Sequence, residues 1–153
     1  MSTSFQLQNN ALKELPHNIE AEQGILGAIL LNNEIFFDIS ETINVEHFYE
    51  PVHKLIFDVI GKIISKGQIA TPITLKSFFE VEKNLEEIGG SNYLVRLANS
   101  AVSLDYAKNY AHIIYNLAVR RGLYELGGKV QHDAIESEIE IKPEDLSLIH
   151  ISE

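Results

Sequence analysis

From about residue 19 onward the hydrophobic positions recur at three- and four-residue steps, the period of an α-helix that buries one face. Ile19, Gln23, Leu26 and Leu30 form the first such row, and Ile25 and Ile29 widen it. Asn18 stands just before the row, where its side chain can accept a backbone N–H, and Glu20 and Glu22 lie near the positive end of the helix dipole. Gly24, Gly27 and Ala28 sit on the same helix. Glycine costs helix propensity, so these small residues imply that another backbone packs closely there. A short helix is expected over 34–41, with Ile35, Phe36, Ile39 and Ile43 apolar. Val45 to Tyr49 reads as a turn carrying an aromatic plug. Pro51 opens a further helix in the first-turn position it tolerates, with Leu55, Ile56, Val59, Ile60, Ile63 and Ile64 apolar and Gly67 placed as a left-handed cap. Thr71, Pro72 and Thr74 start another, through Leu75, Phe78 and Phe79. Leu85 to Ile88 forms a turn ended by Gly89 and Gly90, and Ser91 is placed to cap a helix through Tyr93, Leu94 and Leu97.

No stretch alternates with period two, so an all-α fold is expected: a small orthogonal helical bundle over 15–102, preceded by a flexible tail over 1–14. The region 103–141 has a different character. One proline-free helical pattern carries Ala107, Tyr110, Ile114, Leu117, Arg121, Tyr124 and Gly128 as a narrow seam, closer to a two-helix packing stripe than to a core helix. At about 1.5 Å per residue this helix is ~50 Å long and is expected to outrun the bundle. It reads as the first arm of a helical hairpin. An overhanging apolar stripe needs a cover, which makes Tyr110, Ile114, Leu117, Arg121 and Tyr124 the candidate protein interface. Lys142, Pro143, Glu144, Asp145 and Leu146 have the order of a helix start, and 142–153 is expected to be the truncated beginning of the second arm. Ser147 to Glu153 break the pattern and are expected to be non-native.

Charge narrows the functional classes. The 153 residues hold 22 acidic and 12 basic side chains, for a net charge of −10. Phosphate backbones are bound chiefly by Lys and Arg, so tight duplex binding by this segment is not expected, and protein partners are. Cysteine is absent, which excludes disulfide and thiolate chemistry. The longest apolar run, Gly24 to Leu31, is too short to span a bilayer, and Met1 to Phe5 lacks the order of a signal peptide. A cytoplasmic location is expected, with no membrane partner.

Catalytic, cofactor-binding and metal-binding residues are expected to be absent. No Gly-x-x-x-x-Gly-Lys-Ser/Thr loop is present, and the nearest string, Gly127-Gly128-Lys129-Val130, lacks the glycine spacing and the hydroxyl. The histidines His17, His47, His53, His112, His132 and His150 form no His-Glu-x-x-His pair. His47 and His53 read as hydrogen-bonded histidines in a turn. The acidic runs around Glu80–Glu87 and Glu136–Asp145 read as solvated faces, and Arg120-Arg121 as a surface pair.

The stretch Leu15-Pro16-His17-Asn18-Ile19-Glu20-Ala21-Glu22-Gln23-Gly24-Ile25-Leu26-Gly27 resembles the opening motif of DnaB-type replicative DNA helicases. Phe48-Tyr49, His53-x-x-Ile56-Phe57, Ile73-Thr74-Leu75, Ile88-Gly89-Gly90-x-x-Tyr93-Leu94, Tyr110-Ala111-x-x-Ile114 and Arg120-Arg121 follow in the family's order, so the resemblance covers roughly 15–146. It implies the N-terminal assembly (collar) domain of such a helicase, cut before the ATPase motor. In that family the hairpins pair subunits within a hexameric ring and the collar docks primase. The implied partners are therefore other helicase subunits and primase, with DNA reached only through the full-length ring. ATP and magnesium belong to the motor, and no cofactor is expected here. Two alternatives stay open, a stand-alone helical protein-interaction adaptor and a nucleotide hydrolase; the missing phosphate loop weighs against the second.

Overall fold

The structure, a computed structural model, describes residues 14–136. The tail expected over 1–14, apart from Glu14, the end of the long helix over 137–141 and the second arm over 142–153 lie outside the described residues. Within them every regular element is helical. The order is α1 (Ile19–Leu31), α2 (Glu34–Ser40), a 3-10 turn (Val45–His47), α3 (Pro51–Ser65), α4 (Pro72–Val81), a second 3-10 turn (Leu85–Ile88), α5 (Ser91–Asn99) and α6 (Leu104–Glu136).

Local chemistry sets most of the boundaries. The Asn18 side chain accepts the Ala21 N–H at 2.9 Å and caps α1. Thr71 and Thr74 form a reciprocal capping box in front of α4, with Pro72 in the first turn. Gly67 takes φ +75 after α3, the left-handed conformation a helix-terminating glycine supplies. Ser91 differs from expectation. It is the first residue of α5, the capping position falls on Gly90, and no side chain caps that end.

The core is one continuous cluster. Ile25, Leu26 and Ile29 of α1, Ile39 of α2, Ile56 and Ile60 of α3, Leu75 and Phe79 of α4, Leu94 of α5 and Ile114 of α6 are buried together with Phe48. Phe48 is thus the aromatic plug the sequence placed after the first 3-10 turn. The small residues of α1 explain how α5 comes so near. A Cβ on Gly27 would run into the Leu97 carbonyl oxygen and lie 2.9 Å from the Ala101 nitrogen. Gly24 accepts the Val102 N–H through its own carbonyl at 3.4 Å. Asn33 fixes a second corner: its amide oxygen accepts the Ala70 N–H at 2.7 Å and its amide nitrogen donates to the Ala70 carbonyl at 2.8 Å.

The chain divides into two compact units between Arg121 and Gly122, inside α6. The sequence placed this boundary near Ser103. The difference has a packing cause: Ala107, Ala111, Ile114 and Arg121 are buried in the first unit, so the first half of α6 belongs to the bundle core. In the second unit every described residue, from Gly122 to Glu136, is exposed.

Candidate protein interface

The five residues expected to form the interface do not share a surface. Ile114 is fully buried in the core. Tyr110 is half-buried, and its ring edge would lie 3.2 Å from a Cβ on Gly24, closer than ordinary van der Waals contact. Leu117 is also half-buried. Arg121 is only 9 % exposed. Tyr124 alone stands in solvent. Up to Arg121, then, the seam that was expected to wait for another chain is covered by this chain's own bundle. The spacing was that of a packing stripe, but spacing alone does not say whose helix covers it.

Arg121 also departs from the surface pair predicted with Arg120. Its guanidinium donates to the Pro16 carbonyl at 2.8 Å and to the His47 carbonyl at 2.7 Å. It lies over the Tyr49 ring at 5.5 Å, and His17 stacks on Tyr49 with ring centroids 4.1 Å apart. Two carbonyls and an aromatic ring thus satisfy a cation that would be costly to bury alone. One side chain ties α6 to the segment before α1 and to the first 3-10 turn. Burial and the nearby Arg121 charge hold the His47 pKa below its ordinary value of 6.5, against an opposing pull from Glu46. The His47 ring nitrogen Nδ1 accepts the Asn44 N–H at 3.0 Å, which fits the neutral form.

Sequence reasoning missed a second polar centre. Glu22 is buried, and it does more than sit near the dipole of α1. Its carboxylate accepts the Tyr49 N–H at 2.8 Å, the Glu50 N–H at 3.3 Å and His53 Nδ1 at 2.8 Å. The other ring nitrogen of His53 meets the Tyr93 hydroxyl, which also accepts from the Gln23 amide at 3.3 Å. With Nδ1 protonated and Nε2 bare, every atom of this chain has a partner: Nδ1–H donates to Glu22, Nε2 accepts from Tyr93, and Tyr93 accepts from Gln23. Burial raises the Tyr93 pKa above 10.0, which keeps that hydroxyl a donor. His53 lies within α3, the helix that the sequence opens at Pro51, and not, like His47, in the turn before it. One local signal was present: Glu22 shares its helix face with Leu26 and Ile29, so an acid lay on the buried stripe. Its partners, 27 to 31 residues further along the chain, were not legible.

The cluster is built for rigidity: its groups are closed on one another and Glu22 and His53 are shut off from solvent. Among the described residues no group of three or more His, Cys, Asp or Glu could hold a metal ion. Nor is any described helix long and apolar enough to cross a membrane. What remains open is apolar surface. In the second unit Leu123, Leu126 and Val130 are 62, 57 and 50 % exposed. Their steps of three and four place them on one face of α6.

Comparison with known proteins agrees with this architecture. The family model described as the DnaB-like helicase N-terminal domain matches residues 14–116. The replicative DNA helicase DnaB of Rickettsia felis is 44 % identical over 128 residues, 84 % of this chain, and that of Rickettsia typhi is 43 % identical over 127 residues. In both cases the chain spans 26 % of the relative's length. Among solved structures, the N-terminal domain of DnaB helicase from Mycobacterium tuberculosis superposes with a TM-score of 0.80 at 28 % identity, covering 90 % of this chain and 96 % of that one. A DnaB-like replicative helicase, from a structure describing its interactions with primase, matches with a TM-score of 0.66 at 26 % identity, over 89 % of this chain and 32 % of that one. The chain therefore belongs to the DnaB-like helicase N-terminal domain family.

Proposed function

We propose that this segment is the assembly domain of a replicative DNA helicase, pairing subunits within a hexameric ring and docking primase, in the cytoplasm. ATP, magnesium and the unwinding step belong to a motor domain that these residues do not include. The observation that carries the pairing role is the exposed apolar face Leu123, Leu126 and Val130 on α6. Three large aliphatic side chains at steps of three and four form one seam of a two-helix contact, and leaving them in water is unfavourable. This seam replaces the one expected through Tyr110, Ile114, Leu117 and Arg121. Tyr124, the exposed member of that set, lies roughly a third of a turn away from this seam and is not part of it. The primase role rests on the family and on the relative whose structure was described with primase.

Light scattering on the purified chain tests pairing. The apparent mass is expected to rise with concentration, and L123D/L126D is expected to hold it at the monomer value. A chain that stays monomeric throughout, or a variant that associates as the parent does, defeats the reading. Titration of the matching primase's C-terminal domain by calorimetry tests docking, and no heat at high micromolar concentration would defeat that part alone.

A further inference from the structure

The exposed side of α4 carries a surface apart from the pairing seam on α6. Ile73 and Val81 are 77 and 78 % exposed, and Ile69, just before the helix, is 68 % exposed. Ile73, Phe78 and Val81 line a groove of about 380 Å³ whose far wall is Ile63 and Gln68 and whose end is Glu82. At the C-terminal end of the same helix and over the turn that follows lies a second depression, lined by Glu80, Lys83, Asn84, Glu86 and Glu87.

Its chemistry is mostly acidic, with Lys83 set against Glu80, Glu86 and Glu87. Lys76 approaches Glu80 at 3.8 Å, while Glu82, Glu86 and Glu87 make no ion pair among the described residues. An apolar groove beside a surface rich in exposed carboxylates calls for a partner that brings aliphatic side chains on one face and cationic side chains at its edge. A second copy of this chain, at net charge −10, would bring carboxylates to carboxylates, and nucleic acid would bring phosphates to them.

We propose that the α4 face docks a basic amphipathic helix of another protein, its apolar ridge in the groove at Ile73, Phe78 and Val81 and its Lys or Arg side chains toward Glu82, Glu86 and Glu87. The partner's chemistry is set by that pairing of groove and charge.

The test uses the whole chain, isotopically labelled, titrated with a synthetic leucine–lysine amphipathic peptide and with its leucine–glutamate counterpart, and followed by amide NMR shifts. Shifts confined to residues 63–87 with the lysine peptide, and none with the glutamate peptide, are expected. I73N/V81S and E86K/E87K each change exposed side chains, so the fold is retained, and each is expected to weaken binding by about tenfold. Shifts spread over the acidic surface at large, shifts centred on Leu123 and Leu126, or equal response to both peptides would each overturn the proposal. The first of these would show only attraction between net charges.

Discussion

At the residue scale, the buried Glu22–His53–Tyr93 chain should dominate the response to small substitutions. In E22Q the amide keeps the shape but presents NH2 where one carboxylate oxygen accepted backbone N–H groups. A buried donor is left facing donors, at a cost of about 2–4 kcal/mol. Y93F removes only the outer hydroxyl and leaves His53 Nε2 without a donor, for about 1–2 kcal/mol. Chemical denaturation of both variants should give that order, and a Y93F loss equal to or above that of E22Q would contradict this network. His47 makes a separate prediction about pH. Its folded pKa lies below 6.5, so below that pH the unfolded chain binds more protons than the folded one. Stability should therefore fall as pH drops through 6.5 toward the folded value, and it should be unaffected by this group above neutrality. A proton NMR titration in which the His47 ring moves at or above 6.5 would remove the basis for it. Glu22 stands on an apolar stripe in the sequence, yet its partners come from the entry and first turn of α3, and pairing across such separations leaves no local mark.

At the element scale, Gly27 is the position where α1 and α5 most restrict one another. G27A would drive a methyl into the Leu97 carbonyl, and backbone cannot yield as a flexible side chain can. Helix propensity favours alanine by about 1 kcal/mol, but overpacking against a fixed backbone costs about 1–3 kcal/mol or more, so the variant should be less stable. A rise in melting temperature would mean the two helices can separate freely. This close approach was legible, because small residues on the buried face of a helix give up both propensity and apolar contact unless a neighbouring backbone fills the space. The boundaries of α1, α3 and α4 were legible for a similar reason: Asn18, Pro51, Thr71 and Thr74 act on the backbone within a few residues. The covering of α6 was not. Ala107, Ala111 and Ile114 mark one face of a helix equally well whether the cover is this chain or another, and Arg121 reads as a surface charge until Pro16, His47 and Tyr49 are seen around it. The apolar face that does stay open, at Leu123, Leu126 and Val130, lies about half a turn away from the row followed in the sequence.

At the scale of the whole molecule, the two units rely on different sources of stability. The first has a shared core, whereas the described part of the second is a fully exposed helical stretch that contains Gly122, Gly127 and Gly128. Nothing lies within 4 Å of where a Cβ would stand on any of the three. Each glycine costs a helix about 1 kcal/mol relative to alanine, and an exposed helix of this length is marginal even with good residues. Among the described residues those costs have no packing return, unlike those of Gly24 and Gly27. The assembly reading supplies one for Gly122 and Gly127, which flank the Leu123, Leu126 and Val130 face: a second helix there approaches more closely where side chains are absent. G122A/G127A separates the two roles. As a free chain the variant should gain helicity by circular dichroism and slow the hydrogen exchange of amides 123–136, because about 2 kcal/mol of local propensity is restored. If the glycines also admit a partner helix, the same variant should associate more weakly by light scattering although its helix is better formed. Gain of helicity together with stronger association would mean that the glycines serve no close contact and that only the aliphatic seam matters for pairing.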